Sequence, residues 1–329
     1  MPHREPPVES GSSPAHDPLA TFVPWLELRE VLRHTLQIEG DVSSALGWPR
    51  AIGDGVAARR FSGPQVLCTF SHADDEDQPL AHLALPVDQA VALVDLCLGG
   101  PGRPSVACAA GSPSEAECGV LAYLAARCVR ICAAPLRLRD VAARRSAELT
   151  SWPEDHWLWP LRLELGAQLE LEPCLILGAA APLAQQRVTA QVAIRDELEP
   201  GALASLRGGD LLLCEAWPGQ FTHAGLSGCC ELSVPALQAA LPIALEAGQV
   251  RLLREASPAR RPGRARLVLG EVTASLIELA QLASGQRALP VSALERAQLE
   301  LDGAIVASGK LVRYGGPLAL EVSDLASMR

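Results

Sequence analysis

Apolar and polar positions along this chain change period several times, and each change marks an element. Within residues 21–40, Trp25, Leu28, Val31, Leu32 and Leu36 recur at helical spacing, with Glu27 and Glu30 early and Arg33 late, as a helix dipole prefers. Alternation at Phe61, Val66, Leu67 and Phe70 predicts strands over 56–70, and Leu80 to Leu85 predicts a further short strand. Pro86 then opens a helix with Ala90, Val91, Val94 and Leu98 near one face, which Gly99 and Gly100 end. Ser112, Pro113 and Glu115 read as cap, first helical residue and capping-box partner of a long buried helix. Its apolar stripe is Cys118, Leu121, Leu124, Ala125, Cys128 and Ile131. Residues 136–145 and 161–172 alternate again and predict half-buried strands.

Towards the carboxyl end the pattern repeats itself. Setting Leu206 on Leu282 (282 − 206 = 76) also sets Val192 on Val268, Leu203 on Leu279, Gly209 on Gly285 and Leu213 on Leu289. Two copies of a small β-rich unit therefore follow a larger first domain, which is the layout of an assembly module. The spacing divides the chain into a disordered leader at 1–18, an α/β domain at 19–180, a first unit at 188–253 and a second at 266–325. Residues around Pro182 read as one linker, and the Arg- and Pro-rich 254–265 as another. The fold class is α+β.

Composition narrows the function. A net charge of −10 leaves nucleic-acid binding without an electrostatic footprint. No apolar run is long enough to span a membrane, and the first residues lack the apolar core of a signal peptide, so the expected location is cytoplasmic. The ten Cys, without a C-x-x-C pair, read as small buried hydrophobes in a chain of this size. Cys128 and Cys132 stand one helical turn apart, but two ligands do not close a zinc site. Asp74, Asp75, Glu76 and Asp77 read as a solvated hairpin tip, since they lack the alternate spacing and Gly of a calcium loop. His82, inside an apolar strand, reads as a structural histidine, and Trp152, Trp157 and Trp159 as the seal of a domain edge or a docking patch. No nucleophile elbow, zincin helix, Walker loop or dinucleotide fingerprint occurs, so no catalytic, cofactor-binding or metal residue is assigned and no cofactor is expected.

The second unit, Val268 to Gln286 and Val291 to Val322, resembles the SpoA module shared by flagellar motor switch proteins and type III secretion ring proteins. The Leu282–Gly285 turn and Val306-Ala-Ser-Gly309 carry most of that resemblance, and the upstream unit resembles a divergent copy. Leu93 to Pro104 and Ser112 to Val129 are similar to the middle domain of the switch protein FliM. One such domain before two tandem modules is the layout of the secretion ring protein of the YscQ/HrcQ class.

The resemblance implies that the two modules intertwine as a pseudo-dimer, each completing the other's sheet. It makes Val268, Leu276, Leu279, Leu282, Gly285, Leu299, Leu301, Ile305, Val306, Gly309, Leu311, Val312, Leu318 and Leu320 the core and dimer candidates of the second module. Val192, Leu203, Leu206, Gly209 and Leu213 are those of the first. It further implies a non-enzymatic scaffold at the inner-membrane face of a secretion apparatus. Its partners would be other SpoA modules, the ATPase regulator, a ring accessory protein and chaperone–effector complexes. A flagellar switch component is the alternative. A CheC-like phosphatase or a Cys-based enzyme is the alternative of another class, although Ala116 and Cys118 replace the glutamate that the phosphatase helix needs after Ser112 or Ser114.

Overall fold

The computed structural model describes residues 42–52, 61, 63–72, 75–103, 112–131, 136–145, 149, 152, 155–166, 169–196, 205–213, 220–222, 225–234, 240–253, 265–313 and 318–326. The expected leader, the helix at 21–40, Asp74, Cys132, Leu203 and nearly all of the 254–265 linker lie outside them. What is described is mostly β, with three α-helices.

The first domain begins with β1 (Val42–Leu46), β2 (Arg50–Ala51), β3 (Gln65–His72) and β4 (Asp75–Pro86). Two helices follow, α1 (Val87–Cys97) and α2 (Glu115–Ile131), then β5 (Leu136–Arg144), β6 (His156–Leu165), β7 (Leu169–Leu171) and β8 (Cys174–Gly178). All ladders are antiparallel, in the order β1-β6-β8-β4-β3-β5, with β2 and β7 also on β6. Alternation sorts the side chains. Val66 and Leu85 meet Val91 and Val94 of α1 and Leu121 and Leu124 of α2. Their neighbours Leu67 and Ala84 point to the other face, under Ile52, Phe61 and Leu149.

Three local readings change here. The α2 cap is Ser114, not Ser112: Ser114 N donates to Glu117 Oε2 at 2.7 Å, and Glu117 N donates to Ser114 Oγ at 3.3 Å. Two Ser-x-x-Glu frames overlap in this segment, and the later one keeps Pro113 outside the helix. The strand expected at Leu80–Leu85 begins as early as Asp75, which pairs with His72 across the hairpin, so Asp75, Glu76 and Asp77 belong to β4. The segment at Pro182 is a 3-10 turn, Pro182–Gln185, with Ala181 and Ala184 buried, rather than a free linker.

The remaining strands are β9 (Arg187–Asp196), β10 (Leu211–Leu213), β11 (Gln220–Thr222), β12 (Gly225–Ser233), β13 (Leu241–Glu246) and β14 (Gln249–Leu252). After these come β15 (Ala265–Ser275), α3 (Leu276–Ala283), β16 (Leu289–Pro290), β17 (Ser292–Leu301), β18 (Ala304–Arg313) and β19 (Leu318–Leu325). They form one sheet in the order β10-β19-β18-β17-β15-β9-β12-β13-β14-β16, with β11 on β12. Read from either end, the order has the same form. The long strands β9 and β15 meet in the middle, and three strands of the same half follow each outward. The outermost strand on each side comes from the opposite half: β10 closes β19, and β16 closes β14.

One apolar cluster joins the two sheets. It runs from Trp157 and Leu177 through Ala181 and Ala184 to Val192, Leu279 and Leu320. Helix α3 lies at this junction, against the Pro182–Gln185 turn, β2 and β14. Fully burying one side chain such as Leu279 contributes about 1.5–3 kcal/mol, and α3 buries five apolar residues.

Candidate assembly seam

The seam is the β9–β15 ladder, ten Cα pairs from Ala265↔Asp196 to Ser275↔Arg187. Its register slips once, between Val268 and Gly270, so Leu269 is the bulged residue. That bulge has a place in the repeat. The offset of 76 maps Ala193 onto Leu269 (269 − 193 = 76), and Ala193 pairs with the adjacent Val268. An approximate two-fold axis therefore passes through the ladder at Ala193 and Leu269. Equivalent turns agree with it: Gly209 and Gly285, also 76 apart, both have left-handed backbones with φ of 90° and 76°. A side chain at either position would be strained. The residues that follow, Leu213 and Leu289, lie on the two exchanged strands.

One face of the seam is apolar: Ala190, Val192 and Ile194 of β9 with Leu267, Val272 and Ala274 of β15, all buried. The other carries a polar network. Arg195 and Arg266 are direct cross-strand partners, an arrangement that like charge disfavours. Each is held by a carboxylate on its own half. Arg195 Nε donates to Glu231 Oε2 at 2.5 Å, and Arg266 Nη1 donates to Glu300 Oε2 at 3.0 Å. Arg266 also crosses the seam, donating through Nη2 to Gln191 Oε1 at 3.4 Å and to Ser233 Oγ. Gln191 Nε2 in turn donates to Glu300 Oε1 at 3.3 Å. The Glu300 side chain is only 8% exposed, so its charge depends on these partners.

Helix α3 leaves β15 through a capping box: Glu278 N donates to Ser275 Oγ at 3.2 Å and Ser275 N donates to Glu278 Oε2 at 2.9 Å. The bond from the Ser275 backbone, with Arg287 nearby, holds the Glu278 carboxyl below its ordinary range.

Of the candidates from sequence, Val192, Val268, Leu276, Leu279, Leu282, Leu299, Val306, Leu318 and Leu320 are buried. Gly309 is buried too, where a Cβ would overlap the Glu321 carbonyl oxygen. Leu206, Leu301, Leu311 and Val312 are half-buried, and the turn residues Gly209 and Gly285 are exposed. Two candidates are not core residues. Leu213 is 36% exposed because β10 ends the sheet, and Ile305 is 47% exposed because it follows the Asp302–Gly303 turn at a strand end. Leu203 lies outside the described residues. Sequence reasoning missed Arg195, Glu231, Arg266 and Glu300. Their signal was present, as charges of opposite sign at strand positions between apolar neighbours.

The other candidate chemistry divides between the two faces of the first sheet. Trp157 and Trp159, two apart on β6, are buried core, while Trp152 is half-buried on the opposite face beside His82. Among the described cysteines, Cys68, Cys174 and Cys230 are buried and Cys229 is exposed, and burial pushes the Cys68 thiol up to about 12. No group of three or more metal-ligating side chains occurs among the described residues, and no helix among them is long and apolar enough to cross a membrane.

No protein-family model matches the sequence, and no curated protein matches it. Among solved structures, the chain is similar to FliY of Thermotoga maritima, with 14% identity over 47% of this chain and 83% of that one, at a TM-score of 0.38. It is similar to the FliM middle domain of H. pylori, with 12% identity over 51% of this chain and 95% of that one, at a TM-score of 0.37. The FliM middle domain of Vibrio alginolyticus matches with 10% identity over 50% of this chain and 95% of that one, at a TM-score of 0.34. Likeness at this level assigns no family.

Proposed function

We propose that the chain is a non-enzymatic scaffold: the cytoplasmic-ring, or sorting-platform, subunit of a type III secretion apparatus. In this reading, residues 188–253 and 266–325 are two SpoA modules clasped as a pseudo-dimer. One observation carries it, the exchange of outer strands, in which β10 closes β19 and β16 closes β14. A unit of some sixty residues buries too little apolar surface to be robust alone. Each half also presents a sheet edge that its partner's strand covers. The resemblance of Val268–Gln286 and Val291–Val322 to SpoA modules, and of Leu93–Pro104 to the FliM middle domain, supports the same assignment.

The mechanism is multivalent assembly. Individually weak contacts to the ATPase regulator, a ring accessory protein and chaperone–effector complexes gain effective concentration when many copies sit on one ring. The test is co-purification of the full-length tagged chain with the ATPase regulator of its own secretion system. Retention of the regulator is the expected result. Retention of a phosphorylated response regulator instead would move the assignment to a flagellar switch component. A protease site placed within 254–264 of the full chain tests the clasp separately. After cleavage the halves should co-elute in native buffer and part only in denaturant.

A further inference from the structure

Strand β4 places His82 between Thr69 of β3 and Ile176 of β8, on the face covered by Ile52, Phe61, Leu149 and Trp152. His82 is 4% exposed. Its Nδ1 lies 3.3 Å from Thr69 Oγ1, whereas its Nε2 has no hydrogen-bond partner. The indole Nε1 of Trp152, whose ring meets the imidazole edge-on at 4.3 Å between centroids, has none either. The same indole lies 5.6 Å from the His156 ring, and His156 Nδ1 is 3.0 Å from Asp155 Oδ1. Two imidazoles thus flank one indole, and two buried ring nitrogens lack partners, where such groups are ordinarily satisfied.

We propose that His82, Trp152 and His156 form a proton-sensing site, in which neutral His82 keeps the outer face of the first sheet closed and a proton on His82 loosens it. A proton makes both ring nitrogens donors. Thr69 can accept from one, and the other would point a charged N–H into apolar surroundings. The facing groups do not relieve it. Thr69 of β3 and Ile176 of β8 are uncharged. His156 of β6 is the facing titratable group and opposes a proton on His82, while its partner Asp155 is largely exposed. The attraction of an imidazolium for the indole is smaller than the cost of removing its charge from water. Burial first, and His156 second, hold the pKa of His82 down to about 4, against 6.5 in water.

In any locally opened form His82 meets water and titrates near 6.5, so acid favours opening between these two values. Linkage makes the opening constant rise about 20-fold from pH 7 to pH 5. Hydrogen–deuterium exchange on the full chain, corrected for the intrinsic pH dependence, reads this in peptides covering residues 80–85, 155–160 and 174–178. The expected result is that rise in the wild type and none in His82→Phe, with the β9–β15 seam unchanged. Equal protection at the two pH values, or a rise that persists in His82→Phe, overturns the proposal. Should His82→Phe fail to fold, the His82 ring proton in the wild type decides by NMR: a midpoint near 4 supports the site, and one near 6.5 overturns it.

Discussion

Removing Arg266 tests the seam most directly. Arg266→Ala deletes the donor to Glu300 and the only guanidinium that reaches across to Gln191 and Ser233 among the described contacts. Breaking a fully buried ion pair costs roughly 3–5 kcal/mol, because the remaining charge loses its partner away from water. Arg266 is 22% exposed and Gln191 still donates to Glu300, so the expected loss is smaller, about 2–3 kcal/mol. Replacing both residues, Arg266→Leu with Glu300→Leu, removes the stranded charge and should recover most of that loss. Urea unfolding of the wild type, Arg266→Leu, Glu300→Leu and the double variant gives the coupling energy from shifts in midpoint at constant slope. Arg162→Ala is the control: its pairs with Glu164 and Glu170 are half exposed, and its cost should stay within about 0.5 kcal/mol. If Arg266→Ala behaves like that control, or the double variant loses the sum of the singles, Glu300 is not held by the seam and the reasoning fails.

Three further outcomes rest on the packing of single side chains. Gly309→Ala should destabilise by about 2 kcal/mol or more, since its Cβ meets the backbone of β19 rather than a side chain that could turn away; thermal unfolding will show it. Leu213→Ser and Ile305→Ser should each move stability by no more than about 0.5 kcal/mol, and a larger loss in denaturant titrations would mean that a neighbour covers these positions. His82 binds its proton more weakly in the folded chain than in the unfolded one, so stability is lost as pH falls from 6.5 towards 4; about 2 kcal/mol should go between pH 7 and pH 5, and His82→Phe should flatten that part of the profile.

Much of the local structure was legible because it depends on neighbours in sequence. The helix after Pro86 and its stop at Gly99 follow from period and φ, and so does the alternation of residues 161–172, which turns at Gly166 into β6 and β7. The helix is capped by Ser114 rather than Ser112: two equivalent frames lie two residues apart, and local chemistry does not rank them. Asp75 does stand at the hairpin tip that its charge suggests, paired with His72, and the strand it opens starts before the apolar run shows, because a ladder extends wherever a backbone group still finds a partner. The pairings that matter most were least visible. His82 and Trp152 are 70 positions apart, and Arg195 and Arg266 are 71 (152 − 82; 266 − 195). Neither residue of a pair departs from what a lone histidine or a strand arginine would show; the repeat of 76 located the seam's centre without revealing which charges face one another there.

The reciprocal strand order also sets a timetable for biosynthesis. Leu213 of β10 finds its partner in Ala319, 106 residues further along (319 − 213). At ribosomal rates of about 5–20 residues per second, the early half waits roughly 5–20 s with its outermost ribbon unattached. A nascent chain stalled before Leu318 therefore leaves the β10 border unfinished, and one stalled before Leu289 leaves the β14 border unfinished as well. Quality control could recognise an incomplete product by that open margin well before any partner is met.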